Sequence, residues 1–330
     1  MTTIKGTTFS DIYITEEDRK AYIADKRTHN ALLEFKPDDF DAFFDEVKRN
    51  YHEGESSYSF IYEDISFRSE RTITSEGVLY CLRRMPKAVP PINALGYPPN
   101  LINYLYSLRR SSGLILCSGA TGSGKTTFIS SLLKEYLIEE GGFAYTIEKP
   151  VEQPLSGTYQ SRNGGIGVCR QTTPINDNWE ALLKSALRSA PHYIMVGEIR
   201  TPDAASELLR ASVSGHLVFS TIHANNVTDA LSAIVKYASA KDMSEELAYD
   251  LLSRGLLAAI HQSLIGKSVK KPLVQFLMAN PDTTKGDQVR GIIKTGKLNL
   301  ATTIEQQMIR LMHNQELFPD MDNGSKLNKF

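Results

Sequence analysis

Residues Gly119, Ala120, Thr121, Gly122, Ser123, Gly124, Lys125, Thr126 and Thr127 form an uninterrupted G-x-x-x-x-G-K-[ST] loop. The chemistry of such a loop is phosphate binding. Glycines let backbone N–H groups turn inward on phosphate oxygens at the positive end of a following helix. Lys125 is then placed to reach the β- and γ-phosphates, and the Thr126 hydroxyl to meet Mg²⁺. By average composition the four fixed positions arise by chance in about one chain in a hundred of this length. The context makes chance rarer still, because an apolar run, Leu114 to Cys117, precedes the loop and a helix-forming segment, Phe128 to Glu135, follows it. Strand, loop and helix thus come in the order a phosphate cradle needs, which a Gly/Ser surface turn does not require. The expected ligands are ATP and Mg²⁺.

Two further apolar runs end in acids. Tyr193-Ile194-Met195-Val196 leads into Gly197-Glu198, and Phe143 to Ile147 leads into Glu148. An acid at such a strand end can polarise an attacking water or hold Mg²⁺ through water. Ligands of doubly wound sheets sit beyond the carboxyl ends of the strands, so the ends carrying Gly119, Glu148 and Glu198 can converge. Thr126, Glu148 and Glu198 are accordingly the candidate metal-side residues. The segment His216 to His223 reads as a strand with a histidine at each end.

The elements that must position these residues fall into two groups. Phe40, Phe43, Phe44 and Val47 fall at helical spacing, and the stretches 57–62, 65–68 and 77–83 alternate as strands do. Residues 1–86 are therefore expected to form a small α+β domain. Pro86, Pro90, Pro91, Pro98 and Pro99 crowd the stretch that follows, so 87–100 reads as a semi-rigid linker. Alternating strand and helix signals over 101–318 predict an α/β domain with a mostly parallel sheet, and 319–330 reads as a flexible polar tail. At 330 residues with 41% hydrophobic and 23% charged residues, the chain has room for two cores. A net charge of −1 argues against a protein that coats nucleic acid. There is no run long enough for a membrane span, since Gly255 to Ile260 is bounded by Arg254 and His261. The start lacks a signal peptide, and three scattered cysteines make no disulfide framework, which together fit a cytosolic location.

Taken together, Thr146 to Glu152, Val196 to Arg200, Gly215-His216 and Thr221 to His223 resemble the acidic, Walker B and histidine boxes of the secretion ATPase superfamily, which serves type II secretion, type IV pili and type IV secretion. Phe67-Arg68 and Leu82 to Pro86 are similar to its arginine-bearing N-domain pattern. The resemblance spans roughly residues 55–310 and implies a PAS-like N-terminal domain joined to a RecA-like P-loop domain. No tetracysteine loop follows the histidine box, so the layout is similar to the compact members: pilus retraction ATPases and those of type IVB secretion and conjugation. The implied protein is a homo-hexameric motor that converts ATP hydrolysis into domain rotation. It would act at the bacterial inner membrane, peripherally, through a platform protein, with no direct nucleic-acid contact. The implied catalytic residues are Lys125, Glu148, Glu198 and His223, with Arg68, Arg71 and Arg84 as candidates delivered to a neighbouring subunit. Lys149 and Thr201 stand where the family has acids, and Ser189 to His192 replaces an acid-bearing segment.

Other readings remain open. A P-loop kinase would share Lys125 and Thr126 but needs an acceptor. A helicase or packaging motor would be stimulated by nucleic acid. A weakly hydrolysing assembly switch would bind ATP and form rings with almost no phosphate release, and pilus retraction stands beside secretion and conjugation.

Overall fold

The computed structural model describes residues 2–24, 31–174, 178–266 and 270–318; the tail expected over 319–330 lies outside them. The chain divides into two compact units. One holds the residues up to Val89 together with Lys149–Pro154, the other Pro90–Glu148 and the residues from Leu155 onward.

In the first unit the strands are β1 (Asp11–Thr15), β2 (Lys20–Ala24), β3 (Leu32–Glu34), β4 (Ser57–Tyr62), β5 (Ile65–Thr74) and β6 (Gly77–Arg84), with helix α1 (Phe40–Arg49) between β3 and β4. They form an antiparallel sheet in the order β3-β2-β1-β6-β5-β4. Alternation dictates the inward face: Tyr58, Phe60, Ile65 and Phe67 are buried while Ser59 and Ile61 are exposed. Phe43, Phe44 and Val47, spaced for one helix face, close over them. Phe43 packs edge-on against Phe67 and Tyr62, with ring centroids 5.1 Å apart in each case. Burying each such ring contributes about 1.5–3 kcal/mol. Asp39, ahead of α1, does not cap that helix; its carboxylate accepts from the Ile4 N–H at 3.0 Å and the Tyr62 hydroxyl at 3.1 Å. It thereby pins the N-terminal segment to the sheet. This is the α+β architecture the sequence predicts, with β1–β3 added.

The second unit runs α2 (Pro99–Ser107), β7 (Gly113–Ser118), α3 (Lys125–Glu139), β8 (Gly142–Ile147), β9 (Gly157–Gln160), β10 (Ile166–Thr172), α4 (Trp179–Arg188), β11 (Tyr193–Glu198), α5 (Pro202–Ser212), β12 (Leu217–Ile222), α6 (Val227–Ala238), α7 (Glu245–Gly255), β13 (Leu256–Ile265), β14 (Lys271–Met278), α8 (Gln288–Lys294) and α9 (Ala301–Met312). The sheet order is β14-β13-β7-β12-β11-β8-β10-β9. Strands β13 to β10 in that order are parallel, and β14 and β9 are antiparallel edges. The expected mostly parallel sheet is present. Every residue of β7 and β12 is buried, as strands covered on both faces require. Leu114, Leu116 and Val218 join the core formed with α5, α6 and α7. On the opposite face Phe219 meets Tyr136 of α3, centroids 5.7 Å apart. Among the described residues no helix is long and apolar enough to cross a membrane.

Candidate active site

The site grows from the end of β7. Gly119, Gly122 and Gly124 all have positive φ (149°, 74° and 84°), a region that side chains resist. A Cβ at Gly119 would lie 2.3 Å from the carbonyl oxygen of Gln262, so the loop lies directly against β13. Helix α3 opens at Lys125, and fifteen residues of helix stand behind its N-terminal N–H groups. The buried Lys125 ammonium donates to the carbonyls of Gly119 at 2.9 Å and Ala120 at 3.0 Å. Those are exchangeable partners for phosphate oxygens. The Ser123 hydroxyl is buried without a hydrogen-bond partner, an orphan that suits a loop made to receive oxygen atoms.

Strand β12 lies between β7 and β11 and carries His223 just beyond its end. The register of β11 on β12 slips between Val196 and Glu198. Ser220 Oγ fastens the irregularity by donating to the carbonyls of Val196 and Gly197, at 2.8 and 3.2 Å. The slip re-aims Glu198, as strand bulges beside active sites do. Its Oε2 accepts from Arg200 Nε at 2.7 Å, while Oε1 lies 2.6 Å from His223 Nε2 without meeting hydrogen-bond geometry. The same His223 nitrogen is 3.4 Å from Thr121 Oγ1. His223 therefore links the strand-end acid to the glycine loop.

Glu148, at the end of β8, is almost fully buried, and its Oε1 accepts from Thr146 Oγ1 at 2.7 Å and Gln171 Nε2 at 2.9 Å. A Cβ at Gly197 would stand 3.4 Å from Glu148 Cγ, which places Glu148 beside the backbone that leads into Glu198. Gln171 carried no sequence signal. It orients Glu148 with one end and, with the other, accepts from the N–H groups of Leu155 and Ser156, both at 2.8 Å. Among the described residues no group of three His, Cys, Asp or Glu side chains is gathered to hold a metal. Mg²⁺, which keeps much of its water shell and leans on phosphate oxygens, does not need such a group. His216 is elsewhere, its Nδ1 2.8 Å from the Pro191 carbonyl at the start of β12.

The candidate arginines lie in the first unit and differ in their engagement. Arg84 donates to the Thr7 carbonyl at 2.6 Å and stacks on Phe9. Arg71 stands over the Tyr51 ring, 4.6 Å from its centroid. Arg68 has a looser partner, Glu152 at 3.8 Å. Thr201 caps α5 by accepting from the Ala204 N–H at 3.3 Å.

The sequence profile of the family described as Type II/IV secretion system protein matches residues 53–317. The chain belongs to this family of ATPases. It is 28% identical over 276 residues to a twitching motility protein of Neisseria gonorrhoeae, covering 81% of this chain and 71% of that one. To the type IV pilus ATPase PilU of Pseudomonas aeruginosa it is 30% identical over 204 residues, 61% of this chain but only 50% of that protein. The structure of the pilus retraction motor PilT with bound ADP superposes with a TM-score of 0.67 at 26% identity, covering 95% of this chain and 88% of that one. The Legionella pneumophila ATPase DotB shares the fold, with a TM-score of 0.67 at 20% identity over 92% of this chain and 88% of its own. The chain thus shares its fold with a pilus retraction motor and with a second ATPase.

Proposed function

We propose that this chain is the motor subunit of a type IV pilus or related secretion machine, working as a homo-hexamer that turns ATP hydrolysis into mechanical work. The supporting observation is the run of close contacts from the glycine loop through His223 to Glu198, because it joins the nucleotide cradle to a strand-end acid. In this reading Lys125 leaves the Gly119 and Ala120 carbonyls for the β- and γ-phosphates of the substrate. Glu198 orients the attacking water, and to do so it must release Arg200 or His223. Arg200 is the cheaper to release, since its side chain is two-thirds exposed and an exposed pair is worth at most about 1 kcal/mol. Thr126, with Glu148 and Glu198, would hold Mg²⁺, which supplies charge neutralisation at the phosphates. Arg68, rather than the more heavily engaged Arg84, is the better candidate to reach a neighbouring subunit's phosphates.

Similarity to a twitching motility protein and to a retraction motor favours pilus retraction over secretion or conjugation. An inner-membrane platform protein is the partner such a ring would drive, with the chain on the cytoplasmic side and no nucleic acid in the path. A second reading, a nucleotide-dependent assembly switch, draws on the Arg200 hold on Glu198 and on the uncharged Thr201. Steady-state phosphate release from ATP, with mass determination with and without nucleotide, separates them. Turnover by a hexamer, abolished in Lys125→Ala, is the expected result. Nucleotide binding and ring formation without phosphate release would establish the switch instead.

A further inference from the structure

The glycine loop is held from beneath by a group that no motif contains. Gln262, in the middle of β13, is completely buried. Its Nε2 donates to the carbonyl of Ser123 at 2.6 Å, and its Oε1 accepts from the Tyr97 hydroxyl at 2.6 Å. Burial pushes the Tyr97 pKa up, so the phenol keeps its proton and serves as donor. That donation settles which way round the amide sits. A flipped amide would set oxygen against the Ser123 carbonyl and –NH₂ against the phenol, leaving buried groups unpaired. The Cys117 thiol, 3.5 Å from Oε1, is a weak second donor. Two other contacts tie the same parts together. The Gln262 backbone carbonyl occupies the space a side chain at Gly119 would need, and the Tyr97 ring lies 4.5 Å from the ring of Phe128, on the first turn of α3.

We propose that Gln262 and Tyr97 are positioning residues for nucleotide binding. The Tyr97 hydroxyl orients the Gln262 amide, and the amide draws the Ser123 carbonyl down toward β13. Because the Ser123 carbonyl and the Gly124 N–H belong to one planar peptide, turning that carbonyl away from the cradle turns the Gly124 N–H toward it. Tyr97 belongs to the proline-rich stretch and follows Gly96, whose φ is +78°. The shape of the phosphate loop is thereby tied to the seating of that stretch: if Tyr97 leaves, the amide loses its orienting donor. Burial alone would explain a leucine at position 262 equally well; an amide with each end committed to a different segment is what packing does not require.

The inference rests on the reading of residues 119–127 as the ATP site, and the experiment keeps the two apart. Full-length Tyr97→Phe, Gln262→Leu, the double variant and Lys125→Ala are compared for dissociation constants of Mg·ATP and Mg·ADP and for thermal midpoint without nucleotide. Tyr97→Phe keeps the ring stack and removes one oxygen, and is expected to weaken both nucleotides about three- to tenfold. Gln262→Leu is expected to weaken them about tenfold or more, and the double variant no further than Gln262→Leu, because both changes act through one amide. Parent-like nucleotide affinity in folded Tyr97→Phe overturns the proposal whatever happens to the thermal midpoint, as does a double variant whose losses simply multiply. If Gln262→Leu does not fold, Tyr97→Phe decides alone. Parent-like binding by Lys125→Ala would instead sink the nucleotide-site reading.

Discussion

At the scale of single residues, Glu198 carries the sharpest prediction. Arg200 donates to one of its oxygens and His223 stands close to the other, so a glutamine of the same shape can still occupy the position with its amide oxygen accepting from Arg200. What a glutamine cannot do is take a proton from, or electrostatically align, an attacking water. Glu198→Gln should therefore bind Mg·ATP within about twofold of the parent while phosphate release falls by about 10²–10⁴. Equilibrium binding and steady-state hydrolysis on one preparation check this. Hydrolysis at the parent rate would mean that another group, with Glu148 the next candidate, handles the water. Glu148 is less suited in the arrangement seen, because it is nearly fully buried and its Oε1 already accepts from both Thr146 and Gln171.

At the scale of elements, β13 matters as much as the loop it supports. Its His261 has Nδ1 3.2 Å from Ser118 Oγ at the end of β7. Burial holds this imidazole below its ordinary pKa of 6.5, with the Lys125 charge pushing the same way and Asp229 opposing. A depressed histidine resists protonation when folded and accepts it when unfolded. Its stabilising contribution is thus present above pH 6.5 and is lost as pH falls through the folded value. The nucleotide-free thermal midpoint should fall on acidification from about pH 7.5 to about pH 5.5, and His261→Asn, which keeps a polar atom toward Ser118, should remove about 2 °C or less of that fall. An unchanged pH slope in the variant would show that His261 does not couple to folding. This strand was also the least readable element. Leu256 to Ile260 follows α7 directly at Gly255, and a short apolar run cannot be told from buried helix by periodicity alone. By contrast β7, β8, β11 and β12 each end in a residue of distinctive chemistry, which made both strand and site readable together. Gln262, Gln171 and Tyr97 stayed hidden because their partners, backbone groups and side chains alike, lie 15 to 165 residues away, and no spacing rule connects them.

At the scale of the whole molecule, the proposed ring makes a demand that no isolated subunit can meet. If Arg68 serves the phosphates of a neighbouring subunit, the residues of one catalytic centre come from two chains, as arginine fingers supplied in trans do. Two different defects can then complement each other. Rings made only of Arg68→Ala subunits lack the arginine at every centre, and rings of Glu198→Gln lack the acid at every centre. In a ring of both, a centre with an Arg68→Ala subunit holding ATP and a Glu198→Gln neighbour has its acid and its arginine. Random one-to-one mixing produces that pairing at about a quarter of the centres. Dissociating, mixing and reassembling the two variants should therefore restore phosphate release to about a quarter of the parent rate, whereas the same procedure with either variant alone restores none. Arg84→Ala in place of Arg68→Ala should not complement, since its hydrogen bond to Thr7 and its stack on Phe9 belong to its own fold. Failure of the Arg68 mixture to regain activity, in rings shown by mass to contain both chains, would place the arginine's action within its own subunit and remove the need for a shared centre.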